Sequence, residues 1–309
     1  METTVEYKDH AVTYAAIDIG SNAVRLLIKQ LEDDFQPRFN KVLLLRVPLR
    51  LGFDVFSNGG SISDRKRKDL VRLMKSYKQL MKIYDVSDYR ACATSAMRDA
   101  SNGADIIRDV RKKTGINIEI IDGQEEARMV YNNHIEAMKS RKGNYMYVDV
   151  GGGSTEINLL ADGELICSRS YNIGTVRMLN NAVSEGEWKR FRSDMEDLAV
   201  SYSGINIIGS GGNINKLYKL VERRDKRYPR MHVSSLQALY GRLREMSVRE
   251  RMEEYGLKPD RADVIVPAGE IFLTIAAITG ASYIYVPVIG LSDGIIDGLY
   301  TKHLSGLGK

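Results

Sequence analysis

The apolar positions near the start of the chain fall in short bursts. Tyr14-Ala-Ala-Ile-Asp-Ile19 and Ala23-Val-Arg-Leu-Leu-Ile28 read as two strands joined by a Gly-Ser-Asn turn. Residues 40–56 continue as strands, broken at Pro48 and Gly52. The period then changes. Leu70, Leu73, Met74, Tyr77, Leu80, Met81 and Tyr84 recur at helical spacing behind a Ser63 or Asp64 cap. A strand at 89–93, a helix near 103–113 ending at Gly115, a strand at 116–121 and a helix at 123–138 complete the first half. Asn144 to Asp149, a Gly-rich turn and Thr155 to Leu160 then repeat the opening hairpin. Helices at 175–182 and 185–202, a strand and turn at 205–212 and a helix at 213–222 follow. Further helices are expected at 234–246 and 262–279, a strand at 282–286 and a last helix from Ser292 to about His303.

The return of an apolar-Asp-apolar-Gly core, in Ala16-Ile-Asp-Ile-Gly-Ser-Asn22 and again in Val148-Asp-Val-Gly-Gly-Gly-Ser154, marks an internal duplication. It predicts two α/β domains, 1–131 and 132–309, with their hairpins facing across a cleft. The final helix, about 292–305, is expected to pack back on the first domain. The length of 309 residues is sufficient for two cores.

Composition narrows the setting but not the chemistry. Hydrophobic residues at 43% and charged residues at 28% are ordinary for a soluble chain. No uninterrupted apolar run reaches the ~18 residues of a membrane span, and residues 1–10 do not read as a signal peptide. Cys92 and Cys167 cannot form a disulfide framework, so a cytoplasmic location is expected. The four scattered histidines build no HExxH zinc site. A net charge of +5 favours acidic partners without choosing among them. Two basic runs, Arg65-Lys-Arg-Lys68 and Arg223 to Arg230, read first as solvated faces and second as guides for a polyanion.

Chemistry concentrates at the turns. Gly20-Ser21-Asn22 and Gly151-Gly152-Gly153-Ser154 let successive backbone N–H groups face one concavity, while Ser21, Asn22, Ser154 and Thr155 add side-chain donors. One such turn alone would read as a plain hairpin; two, each preceded by an Asp at the end of an apolar strand, point to anion binding. Asp149 and Glu156 flank the second turn and can share one mouth, where their hard oxygens suit Mg²⁺; Asp18 is a further candidate ligand. Only one of Glu125 and Glu126 can face a cleft, since neighbours on a helix diverge by about 100°. The residues alone leave that pair as ordinary acids of a first helical turn. Arg98 reads equally as a phosphate clamp or a surface ion pair.

Taken in order, Ala16 to Asn22, Leu49-Arg-Leu-Gly52, Ala93-Thr-Ser-Ala-Met-Arg98, Asp122-Gly-Gln-Glu-Glu-Ala-Arg128, Val148 to Glu156, Ile208-Gly-Ser-Gly-Gly212 and Gly290-Leu-Ser-Asp-Gly294 closely resemble the exopolyphosphatase and guanosine pentaphosphate phosphohydrolase family. The resemblance implies two actin-like domains of the sugar-kinase, heat-shock ATPase and actin superfamily around a central cleft. It also implies hydrolysis of terminal phosphoanhydrides. Glu126 matches the base that handles the attacking water, Asp149 and Glu156 the Mg²⁺ ligands, and Arg98 the terminal-phosphate contact. The two glycine loops match the phosphate cradle. K⁺ is a second candidate ion. The expected partners are inorganic polyphosphate or guanosine pentaphosphate, and a second copy of the chain in a homodimer, with no nucleic acid and no membrane. An ATP-dependent kinase and a non-enzymatic nucleotide-binding actin relative are the alternatives from other classes. Two departures stand out. Longer members carry further helical modules, so shorter polyphosphates are expected as substrates. Asn213 also stands where Thr is frequent, which weakens a nucleotide role for the third turn.

Overall fold

The structure is a computed structural model describing residues 12–33, 38–57, 59–129, 142–225, 227–287 and 290–307. Its first sheet contains β1 (Thr13–Ile19), β2 (Val24–Asp33), β3 (Arg38–Val47), β4 (Asp88–Ala93) and β5 (Ile118–Ile120), in the order β3-β2-β1-β4-β5. The first three strands are antiparallel neighbours, and β4 and β5 join in parallel. The second sheet is formed by β6 (Asn144–Val150), β7 (Thr155–Ala161), β8 (Glu164–Tyr171), β9 (Asn206–Ser210), β10 (Arg230–His232) and β11 (Tyr283–Tyr285). Its order β10-β11-β9-β6-β7-β8 repeats the same plan, with β10 added at one edge. The duplicated α/β architecture expected from the paired hairpins is therefore present, one copy in each lobe.

All seven residues of β1 are buried, and the two-residue period of a strand assigns them to different sides. Ala15, Ile17 and Ile19 enter a core with the helices Asp64–Ile83 and Gly103–Thr114. Tyr14 and Ala16 face the opposite way, against Leu291, Ile295, Ile296 and Leu299 of the last helix, Leu291–Leu307. That helix thus packs on the first sheet. In β6, Met146, Val148 and Val150 enter the second lobe's core, while Tyr145 and Tyr147 belong to a small separate cluster. Asp18 continues the Tyr14 face and Asp149 the Tyr147 face, so the alternation aims both carboxylates away from the main cores.

Several expectations need correction. Leu51–Val55 is a short helix, not a strand: Gly52 N donates to Ser21 O and Phe56 N to Gly52 O, turning the chain under the first glycine loop. Two strands were not anticipated, β8 and β10, and neither was the helix Val248–Tyr255 with its Ser247–Glu250 capping box. β8 escaped detection because it is an edge strand with mixed exposure and no clean alternation. Residues 123–129 are helical; the rest of the expected helix to 138, and the proposed domain boundary at 131/132, lie outside the described residues. By length and hydropathy the helical stretch Pro259–Thr279 could cross a membrane, contrary to the reading of the sequence, but 56% of its apolar window is buried and it forms the second lobe's core.

Candidate active site

The two hairpin turns are closed in the same way: Gly20 N donates to Ala23 O (3.1 Å) and Gly151 N to Ser154 O (2.9 Å). They meet tip to tip. A Cβ placed on Gly152 would lie 2.9 Å from Ser21 Cβ and 3.1 Å from Asn22 N, so only glycine permits this approach. Between and beside the turns lies a cavity of about 390 Å³, walled by Asp18, Gly20, Ser21, Asn22, Glu126, Asp149, Gly151, Gly152 and Ser154 among others. The third turn, Gly211 and Gly212, closes a further side.

Pairing across each hairpin determines the charges. Asp149 stands opposite Glu156 and Asp18 opposite Arg25, so each pair shares one face of its sheet. Arg25 forms an ion pair with Asp18. Burial opposes the guanidinium charge, but Asp18, Asp149 and Glu126 outweigh it and raise its pKa. Asp149 is pushed up to about 6, first by desolvation and then by Asp18, against the pull of Arg25 and a hydrogen bond from Ser210. Glu156, 2% exposed, is pushed up to about 7 by desolvation and by Asp149, although Ser154 and Ser170 both bond to it (Ser170 Oγ at 2.9 Å).

Glu126 is the pivotal side chain. It is 7% exposed, its Oε2 has no hydrogen-bond partner among the described residues, and it lines the cavity. Desolvation, then Glu156, Asp149 and Asp18, hold its pKa well above the ordinary carboxylate value, against the opposing charge of Arg98. Its neighbour Glu125 points outward to Arg90 at 2.7 Å, as helical spacing requires. Asp122 Oδ1 accepts from Glu125 N at 2.7 Å and so caps the first turn of this helix.

Four sequence candidates are not on the cavity wall. Arg98 donates from Nη1 to Ile121 O at 3.0 Å and approaches Asp99, and its charge favours the ionised forms of Glu126 and Glu156. Thr155 donates to Ile173 O at 2.6 Å, which commits its hydroxyl to the scaffold. Gly153 is packed against the first lobe; an added Cβ would meet Ser95 Oγ at 2.3 Å and Phe56 Cζ at 2.6 Å. Glu156 lies behind Asp149, within electrostatic reach of the cavity. Among the described residues neither basic run lines the cavity: Lys66 pairs with Asp54, Arg67 with Asp109, and Arg230 with Asp225. The cations that do line it were missed: Arg25, Lys41, Arg46, Lys216, Lys219 and Arg261. Lys216 and Lys219 are three apart on one helix, a spacing that could have flagged a shared face. Arg261 is held down to about 10 by burial and by the nearby charges of Arg46 and Arg25. Six basic side chains share the cavity with Asp18, Glu126, Asp149 and Asp293, a mix that suits an anionic chain accompanied by a cation.

A metal would find hard oxygens here. Asp149 and Glu156, each destabilised as anions by burial, would be relieved by a divalent cation, and Mg²⁺ keeps several waters and needs few protein ligands. No cluster of three or more His, Cys, Asp or Glu side chains in ligating geometry occurs among the described residues.

Two glycine loops from duplicated lobes close on a cavity lined by both basic and acidic side chains, an arrangement suited to binding phosphate. Comparison with known proteins specifies the class: the sequence model of the Ppx/GppA phosphatase family matches residues 28–303. The chain belongs to that family. It is 26% identical over 298 residues to the guanosine-5'-triphosphate,3'-diphosphate pyrophosphatase of Aeromonas hydrophila, covering 93% of this chain and 59% of that one. It is 24% identical over 268 residues to exopolyphosphatase 1 of Mycobacterium tuberculosis, covering 81% and 77%. The crystal structure of the Aquifex aeolicus Ppx/GppA family member superposes with a TM-score of 0.76 at 26% identity, covering 95% of this chain and 99% of the other. The chain thus spans less than two thirds of the Aeromonas relative's length.

Proposed function

We propose that this protein is an exopolyphosphatase, removing terminal orthophosphate from inorganic polyphosphate with Mg²⁺ bound at Asp149 and Glu156. The observation that carries this reading is Glu126: an unpartnered, buried carboxylate at the cavity wall, between two amide-rich loops. A carboxylate with raised proton affinity is a stronger base than an exposed one. In this reading the backbone amides and hydroxyls of Gly20–Asn22 and Gly151–Ser154 receive the terminal phosphate and stabilise charge that builds on its oxygens. Glu126 orients a water in line with the bridging oxygen and accepts its proton. Lys216, Lys219 and Arg261 hold the phosphates on the leaving side. The metal would add Lewis-acid neutralisation of the phosphate oxygens beside Asp149.

Guanosine pentaphosphate is the second reading, favoured by the name of the Aeromonas relative. The leaving-side wall weighs toward a phosphate chain instead: its side chains are cations and Asn213 and Asn215, and among the described residues no aromatic ring lines the cavity for a base to stack on. The third turn, which in kinases of this fold helps hold adenosine, is covered here by Arg261. Its Nη1 donates to Asn213 Oδ1 at 3.1 Å, and a Cβ on Gly212 would lie 2.7 Å from Nη2. A cytoplasmic location accompanies the proposal. The test is phosphate release from short polyphosphate, long polyphosphate and guanosine pentaphosphate side by side, with and without Mg²⁺. Release from guanosine pentaphosphate alone, or release unaffected by chelation, overturns it.

A further inference from the structure

The second glycine loop is held from behind by an unexpected grip. Thr175 N donates to Gly151 O (3.0 Å), Val176 N and Arg177 N to Gly152 O (2.7 and 3.0 Å), and the Arg177 side-chain Nε to Gly153 O (2.8 Å). Three successive carbonyls are thereby drawn to one side. A trans peptide points its N–H opposite to its C=O, so the amides of Gly152, Gly153 and Ser154 are turned the other way. Two of those carbonyls are held by backbone donors within the second lobe. The third depends on Arg177 alone, and Arg177 is itself held by the first lobe. Its Nη2 donates to Asp99 Oδ2 at 2.5 Å, and its guanidinium stacks over the Phe56 ring at 4.0 Å, leaving the side chain 12% exposed. Asp99 ends the short helix that begins at the cavity residue Ser95, and Phe56 follows the helix beneath the first glycine loop.

We propose that Arg177 is a positioning residue that couples closure of the two lobes to the setting of the second phosphate loop. When Asp99 and Phe56 seat the guanidinium, Gly153 O is fixed and its neighbouring amides are held ready for the phosphate. When the lobes part, that bond loses its support. This inference rests on the exopolyphosphatase reading for its kinetic consequence, but its structural claim can be read without turnover.

The first measurement is amide hydrogen exchange on the ligand-free protein. Asp99→Asn leaves every residue of the loop intact, yet exchange at the amides of Thr175, Val176 and Arg177, which are bonded to the loop carbonyls, should accelerate about tenfold or more relative to wild type. Unchanged exchange there overturns the coupling, whatever the enzyme's substrate. The second is steady-state kinetics on tripolyphosphate with Mg²⁺. Arg177→Lys keeps the charge but cannot bond Gly153, bond Asp99 and stack on Phe56 together. It should lower kcat about 10- to 100-fold with a smaller change in KM. The exchanged pair Arg177→Asp with Asp99→Arg separates support from simple bracing. It can restore the interlobe ion pair but cannot donate to Gly153 O, so thermal stability should recover while kcat stays low. Recovery of kcat in the exchanged pair would reduce Arg177 to a structural strut and refute the proposal. A wild-type protein that shows the exchange coupling but releases no phosphate would instead sink the functional reading and leave the coupling standing.

Discussion

Replacing Glu126 with Gln should move activity and stability in opposite directions. The side chain is 7% exposed, and its Oε2 has no partner among the described residues. Burial and three neighbouring carboxylates raise its pKa, so its stability contribution is complete below the unfolded pKa and is lost as pH rises through the folded one. An amide of the same shape carries no such penalty, and its NH₂ can donate toward the carboxylates that Glu126 repels. Leaving a buried polar group unsatisfied costs on the order of 1–3 kcal/mol, with more for a charge. At about 2–4 °C per kcal/mol for lobes of this size, the ligand-free variant should melt several degrees above wild type at pH 8.5. The gain should shrink as pH falls, because protonation removes the buried charge from wild-type Glu126. Removing a general base typically costs about 10²–10⁴-fold in rate. Phosphate release from tripolyphosphate should fall by that factor while KM changes little. A variant within about threefold of wild-type kcat, or one less stable than wild type at pH 8.5, would refute the assignment.

The pair Asp149 and Glu156 predicts a pH-dependent stability in the absence of metal. With folded values of about 6 and about 7, stability present below pH ~4 should be lost as pH rises toward 7, by roughly 3 kcal/mol per group. In Asp149→Asn this loss should shrink, and added Mg²⁺ at pH 7.5 should raise the melting temperature of wild type more than that of the variant. Equal responses would remove Asp149 from the cation site. Gly174→Ala should be severe, because its Cβ would lie 2.5 Å from the Gly153 carbonyl carbon and 2.5 Å from Ser154 N, both backbone atoms that cannot swing aside. A loss of about 1–3 kcal/mol or more in thermal denaturation is expected, with activity falling as the second loop is displaced. Removing Lys216 and Lys219 should flatten the dependence of log KM on log salt by about one per lost phosphate contact, whereas removing Arg223 and Arg227 should leave the slope unchanged. The reverse pattern would put the substrate path on the other surface.

Much of the fold was legible because the signals were local. Asp18 and Asp149 each close an apolar strand just before a glycine turn, and their duplication is visible in the sequence. Ser63 accepts from Lys66 N as a helix cap, and Gly115 ends its helix with a left-handed φ of 77°, both as their residue types foretell. The site was only half legible because its second half is made by contacts remote in sequence. Arg261 approaches Asn213 from 48 residues away, and Arg46 pairs with Asp260 from 214 away. No spacing rule connects such residues, and isolated arginines look alike on any surface. The conspicuous basic runs read first as solvated faces, and their described residues stay off the cavity, because density of charge along the chain says little about density in space. Arg98 shows the same limit from the other side: its motif is local, but the Ile121 carbonyl that occupies its guanidinium is not.

The duplication also explains how one architecture divides two tasks. In both hairpins an Asp stands at the last pair but one before the turn, and the residue opposite it shares its face. In the first lobe that residue is Arg25, and the pair is close to neutral. In the second it is Glu156, and the pair is doubly acidic. A symmetric pair of acidic hairpins would have placed four carboxylates at the two turns with no cation paired to them, and like-charge repulsion would weaken phosphate binding there. A symmetric pair of Asp–Arg hairpins would bind phosphate but leave no site for a divalent cation. Exchanging one residue in one copy gives the paired hairpins a polarity: an Asp–Arg pair in the first lobe and an Asp–Glu pair in the second, with Glu126 lining the same cavity. Arg25→Glu, which restores the symmetry, should therefore abolish binding of tripolyphosphate measured by calorimetry while leaving the second lobe's response to Mg²⁺ intact. Retained tripolyphosphate affinity in that variant would show that the loop amides and the Lys216–Arg261 wall suffice without it.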